Sequence, residues 1–144
     1  MEVETLKDTV SVITLLHGNI EFIPLILYNY KNFLQTQDLE LVIVDDGSEN
    51  LVSHFVDVEN CLYLHLDSLE KDEFFTKILD GYKQPNKDPL YYQKKLKTLP
   101  KGFKRDYGCG MSSGDYIFHM DADCVYQKKA IDRKIRYMKR VGAE

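Results

Sequence analysis

Two short apolar runs, Val10 to Leu16 (VSVITLL) and Leu39 to Val44 (LELVIV), constrain this chain most. Both are strand-length and rich in β-branched residues, with little polar alternation. A strand with one wet face alternates polar and apolar side chains. A nearly continuous run predicts a strand covered on both faces, as in a parallel sheet. Between the runs, Ile23, Leu27, Tyr30 and Leu34 recur at helical spacing, with Pro24 near the first turn. Beyond them, Ser48 can cap a short helix over Leu51 to Val56, and Cys61 to Leu66 (CLYLHL) reads as a third strand. Strand, helix, strand, helix, strand implies a parallel sheet joined by crossovers.

The middle of the chain is less regular. Phe74, Phe75, Ile78 and Leu79 suggest a helix ended by Gly81, and Pro85 and Pro89 mark a loop. Tyr91 to Leu99 suggests another helix, closed by Pro100 and Gly102. Tyr116 to Met120 (YIFHM) reads as a fourth strand. After it, Ile131, Ile135, Met138 and Val141 fall on one helical stripe. No repeat or composition shift divides the 144 residues, so one domain over 1–144 is expected.

Composition narrows the function. A formal charge of −4 argues against a general nucleic-acid binder. Lys94, Lys95, Lys97, Lys101, Lys104 and Arg105 form a basic run best read as a solvated face. Within it, Lys104 and Arg105 could neutralise phosphate. Cys61, Cys109 and Cys124 lack metal-type spacing and read as reduced structural thiols, which suits a cytoplasmic protein. The acidic N-terminus is no signal peptide, and no stretch has the length of a membrane span.

The chemistry lies at two strand ends. Asp121 and Asp123 follow the fourth strand with a spacing of two, so an extended backbone points both the same way. Two such carboxylates repel unless a cation sits near them, and Mg²⁺ is commonly held by one or two carboxylates plus substrate phosphates. Alone, D-x-D is a common surface pattern; it gains weight from its place at the carboxyl end of a buried strand. Asp45 and Asp46 end the second strand, where a turn or a ligand contact would use them equally well. His17 is the histidine better placed to touch a ligand, while His119, inside a strand, reads as packed or supporting. The spacing of Gly108, Gly110 and Gly114 is wrong for a dinucleotide fingerprint, and small residues there suit close helix–sheet packing.

Together these pieces resemble the family 2 group of GT-A glycosyltransferases. The resemblance rests on VSVIT, LVIVDDGS and the run KRDYGCGMSSGDYIFHMDADC from Lys104 to Cys124. It implies a Rossmann-like GT-A α/β three-layer sandwich with a mostly parallel central sheet, cut short at the C-terminus. An insertion is expected around residues 70–100. The implied donor is a UDP- or GDP-sugar, bound through Thr14, Asp45, Asp46, Arg105 and Asp121. Asp121 and Asp123 would hold Mn²⁺ or Mg²⁺, and the acceptor would be a saccharide, lipid or protein. The family's catalytic base is expected beyond Glu144. The family's Pro-Thr-Tyr-Asn is replaced here by Leu15, Leu16, His17 and Gly18, and Asp106 stands where Asn is usual. One alternative is a non-catalytic or truncated nucleotide-binding module. The other is a haloacid-dehalogenase-type phosphatase, which HMDADCV resembles, although that fold builds most of its Rossmann domain after the motif.

Overall fold

The computed structural model describes residues 8–67, 71–73, 76–77 and 98–142. Four strands and three helices position the site: β1 (Thr9–Leu16), α1 (Ile23–Leu34), β2 (Asp38–Asp45), β3 (Cys61–His65), α2 (Lys101–Met111), β4 (Tyr116–His119) and α3 (Ala130–Val141). The strands form one sheet in the order β3-β2-β1-β4, and every pairing is parallel. The chain builds outward from β1 to β2 and β3, then returns to place β4 on the other side of β1. Parallel neighbours need crossovers, which is why both sheet faces carry helices.

Alternation along the strands divides the core into two layers. Val10, Val12 and Leu16 of β1, with Leu39, Leu41 and Ile43 of β2, pack with Ile26, Tyr30 and Phe33 of α1 and with Ile131 and Ile135 of α3. On the opposite face, Ile13, Val42 and Val44 pack with Leu66, Leu99 and the partly buried Phe103 and Tyr107 of α2. The strand cores are buried on both faces, as the uninterrupted apolar runs predict. The result is the expected α/β three-layer arrangement, and the sheet is wholly parallel.

Several local expectations are corrected. Helix α1 is rotated from the expected stripe, burying Ile26, Asn29 and Phe33 beside Ile23 and Tyr30; Leu27 and Leu34 are only partly buried. Its sequence is apolar around most of its circumference, so tertiary packing chooses the face. Ser48 caps nothing: the expected short helix is one 3₁₀ turn, Val52–His54, without a side-chain N-cap. Asn50 Oδ1 instead accepts from Val52 N at 2.9 Å. In α3, Ile131 and Ile135 are buried but Val141 is exposed. Residues 71–73 and 76–77 are helical, and Leu99 precedes α2 in irregular structure. The rest of the two expected central helices, Lys94, Lys95 and Lys97, and most of the 70–100 insertion lie outside the described residues.

Gly108 explains the close fit of α2. A Cβ there would lie 2.9 Å from Ile13 Cγ2 and 3.2 Å from Val44 Cγ2. Both neighbours belong to central strands and cannot yield freely. Gly108→Val is expected to destabilise the fold by about 1–3 kcal/mol through overpacking, measured as a lower urea midpoint with an unchanged slope. The three cysteines are free thiols. Among the described residues, no helix is long and apolar enough to cross a membrane.

Candidate functional site

The strand order reverses between β1 and β4. In open parallel sheets, the crevice outside the carboxyl ends of strands at such a reversal is where ligands bind. A cleft of about 270 Å³ lies there, lined by His17, Phe22, Lys101, Arg105, His119, Asp121 and Asp123 among others. A larger hollow, about 530 Å³, lies at the opposite rim around Asp38, Glu40, Asn60 and Ser113. Its main carboxylate, Glu40, is already engaged by Ser11 and Ser113, and among the described residues its lining holds no cationic side chain. The smaller cleft is the better candidate because it gathers both signs of charge at the strand reversal.

The acidic loop after β4 is pinned from three directions. Thr14 Oγ1, fully buried in β1, donates to Met120 O at 2.7 Å. Asn29, buried in α1, donates to Cys124 O at 2.8 Å and accepts from Tyr126 N at 3.0 Å. Asp121 N donates to Tyr126 Oη at 2.8 Å. The side chains of Asp121 and Asp123 stay exposed while their backbone is held. Both reach toward one sulfur: Cys124 Sγ lies 3.6 Å from Asp123 Oδ1 and 4.0 Å from Asp121 Oδ2. The two acids therefore share one side of the loop. Slight burial and the two carboxylates push the Cys124 thiol up, keeping it protonated at neutral pH.

Two exposed carboxylates supply hard oxygen donors suited to Mg²⁺ or Mn²⁺. Among the described residues, no group of three or more His, Cys, Asp or Glu is arranged to hold a metal ion. A cation on Asp121 and Asp123 would thus take its other ligands from water and a bound phosphate, which is the usual Mg²⁺ arrangement.

Asp45 and Asp46 are placed differently from Asp121 and Asp123. Both are fully buried. Asp45 Oδ1 accepts from Gly18 N and Gly47 N, each at 2.9 Å, and Oδ2 accepts a short bond from Tyr63 Oη. The two strand-end turns meet so closely that a Cβ on Gly47 would lie 2.5 Å from Gly18 N, and Gly18 itself has φ +67°. Asp46 Oδ1 accepts from Lys104 Nζ and faces His17 Nδ1, both at 2.9 Å. Its Oδ2 accepts from Leu99 N at 2.5 Å and Thr98 Oγ1 at 2.8 Å. Burial pushes the Asp46 carboxyl up, but the bonds from Lys104, Leu99 and His17 outweigh it and hold it at about 2.

Lys104 corrects the reading that paired it with Arg105 at a phosphate. It is 3% exposed, and its ammonium is spent on Asp46 and on Leu16 O at 2.8 Å. Arg105, one position on, lines the cleft and among the described residues forms no ion pair. The packed reading of His119 is also corrected: β4 lies at the edge of the described sheet, and this histidine is exposed and lines the cleft. Partial burial and the Arg105 guanidinium lower its pKa, leaving a neutral imidazole at pH 7. Asp106 is exposed and does not line the cleft. Asn29 and Tyr63 escaped the sequence reading, since neither belongs to a motif; a polar residue on the apolar face of α1 was the available signal for Asn29.

The fold is an α/β arrangement of the Rossmann-like GT-A type. Among solved structures, the chain resembles S. aureus TarS 1–349 in complex with UDP-GlcNAc, with a TM-score of 0.57 and 15% identity over 92% of this chain. The chain spans 31% of that structure's length. The sequence matches no protein-family model and no curated protein.

Proposed function

We propose that this chain is the nucleotide-sugar-binding domain of a family 2-like GT-A glycosyltransferase. The observation that carries this reading is the pair Asp121 and Asp123. They share one side of a pinned loop, at the strand reversal, and line the cleft that Arg105 lines. Asp121 and Asp123 would hold Mn²⁺ or Mg²⁺, with Asp121 also serving the ribose, and Arg105 would pair with a phosphate oxygen. When bound, such a metal offsets the charge that develops on a departing diphosphate. Thr14, Asp45 and Asp46 would support the donor from beneath, because their side chains fasten the turns that form the cleft floor. The TarS complex supports a UDP-sugar as the donor class. The acceptor would be a saccharide, lipid or protein.

The cleft, at about 270 Å³, is slightly smaller than most small-molecule sites. It suits a diphosphate and its neighbouring groups, with the rest of the donor reaching toward solvent. Calorimetry with UDP and with GDP, each with and without Mn²⁺, tests the reading. Binding of at least one nucleotide that strengthens tenfold or more with Mn²⁺ is expected; no binding of either rejects it. Binding without sugar transfer would favour a non-catalytic module built on the same site.

A further inference from the structure

We propose that His17 is a specificity-determining residue of the cleft, whose Nε2 accepts a hydrogen bond from an N–H or O–H group of the bound nucleotide. This inference rests on the nucleotide-sugar reading above.

The argument begins with the atoms already taken. Asp45 and Asp46 lie at the same rim, but each is buried and bonded on both oxygens by the protein itself. Neither has a free oxygen facing the cleft. His17 is different, with its side chain 44% exposed and lining the cleft. Its Nδ1 lies 2.9 Å from Asp46 Oδ1. An ionised carboxylate can only accept, so in the neutral ring Nδ1 must carry the proton. Nε2 is then a bare lone pair, with no hydrogen-bond partner among the described residues.

The surroundings make this tautomer a fixed feature. Asp46 cannot swing away, because Lys104, Leu99 and Thr98 hold it from two other chain segments. The backbone of His17 is tied by His17 N donating to Asn19 Oδ1 at 3.0 Å. A carboxylate that orients the far nitrogen of a histidine also fixes what the near nitrogen presents. With the ring in this tautomer, the rim offers a hydrogen-bond acceptor in the cleft that the two metal-type carboxylates also line. Uracil and guanine carry an imino N–H, and every ribose carries hydroxyls, so the shared chemistry is a donor on the nucleoside.

The test has two independent parts. Nitrogen-15 NMR of the wild-type protein at pH 8 should show His17 protonated on Nδ1 and bare on Nε2; the opposite tautomer overturns the proposal. Calorimetry in Mn²⁺ should show His17→Phe weakening UDP binding about fivefold to tenfold, the value of one hydrogen bond. His17→Gln, whose amide oxygen can stand near Nε2, should stay within about threefold of wild type. CDP lacks the imino N–H and 2′-deoxy-UDP lacks one hydroxyl. Whichever binds the wild type as weakly as UDP binds His17→Phe identifies the donor group. Wild-type binding with an unaffected His17→Phe rejects the His17 role alone, whereas a wild type that binds no nucleotide rejects the underlying function with it. Should His17→Phe not fold, His17→Ala read beside His17→Gln takes its place: a fivefold or greater loss that glutamine restores is expected, and equal binding by the two overturns the role.

Discussion

Asp123→Asn should abolish the Mn²⁺-dependent part of nucleotide binding and leave the fold nearly untouched. Asparagine keeps the shape of the side chain but removes the negative charge, and a neutral amide oxygen is a poor substitute for a carboxylate at a hard dication. Loss of even an outer partner of a metal ligand costs about tenfold to a hundredfold in affinity, so loss of the ligand itself should cost at least the larger figure. The structure predicts little effect on stability. Asp123 is exposed, and among the described residues its side chain meets only the weak Cys124 thiol. Surface changes of that kind stay within about 0.5 kcal/mol, or about 2 °C in melting temperature for a chain of this size. Calorimetry with and without Mn²⁺, paired with thermal melts, separates the two effects. Equal Mn²⁺-dependent binding by the mutant would remove Asp123 from the site.

Lys104→Met should be the opposite kind of change, damaging the fold throughout. Methionine roughly fills the volume but removes the ammonium bonded to the buried Asp46 carboxylate at 2.9 Å, leaving Lys71 Nζ at 3.9 Å as the nearest lysine among the described residues. Removing one partner of a buried ion pair costs about 3–5 kcal/mol, to be read from urea unfolding at pH 7. The pH dependence adds a check of sign. Asp46 is held at about 2 in the native state, below its ordinary value of 3.8. The folded form therefore favours the anion, and the stability this confers is present above about pH 4. It is lost as pH falls through the window between 3.8 and about 2. In Lys104→Met, burial is no longer opposed by the ammonium, so that acid-side loss should shrink or reverse. A mutant as stable as wild type at pH 7, with the same acid profile, would show that the pair contributes nothing.

These variants probe two acid pairs that look alike in one dimension. LVIVDD and HMDAD both end a strand in acids, and local pattern makes either pair a candidate for ligand contact. The structure separates them by what covers each strand end. β2 is central, flanked by β1 and β3, and its end is closed over by Tyr63, Lys104, Thr98 and Leu99. β4 lies at the edge of the described sheet, and the acids that follow it are exposed. His119 departs from the packed reading for the same reason: a strand position says which face a side chain takes, not whether anything lies above it.

What the sequence determined by itself was the set of strands, their parallel arrangement and the position of acids at their carboxyl ends. Those follow from short-range periodicity and chain connectivity, which neighbouring residues carry among themselves. Tertiary structure alone decided which carboxylates became internal fasteners and which stayed free. The ammonium hydrogen-bonded to Asp46 stands 58 positions away, and the asparagine that pins the acidic loop stands 95 positions from its partner Cys124. Burial and charge pairing depend on distance in space, and no local pattern encodes a distance that only the finished fold creates.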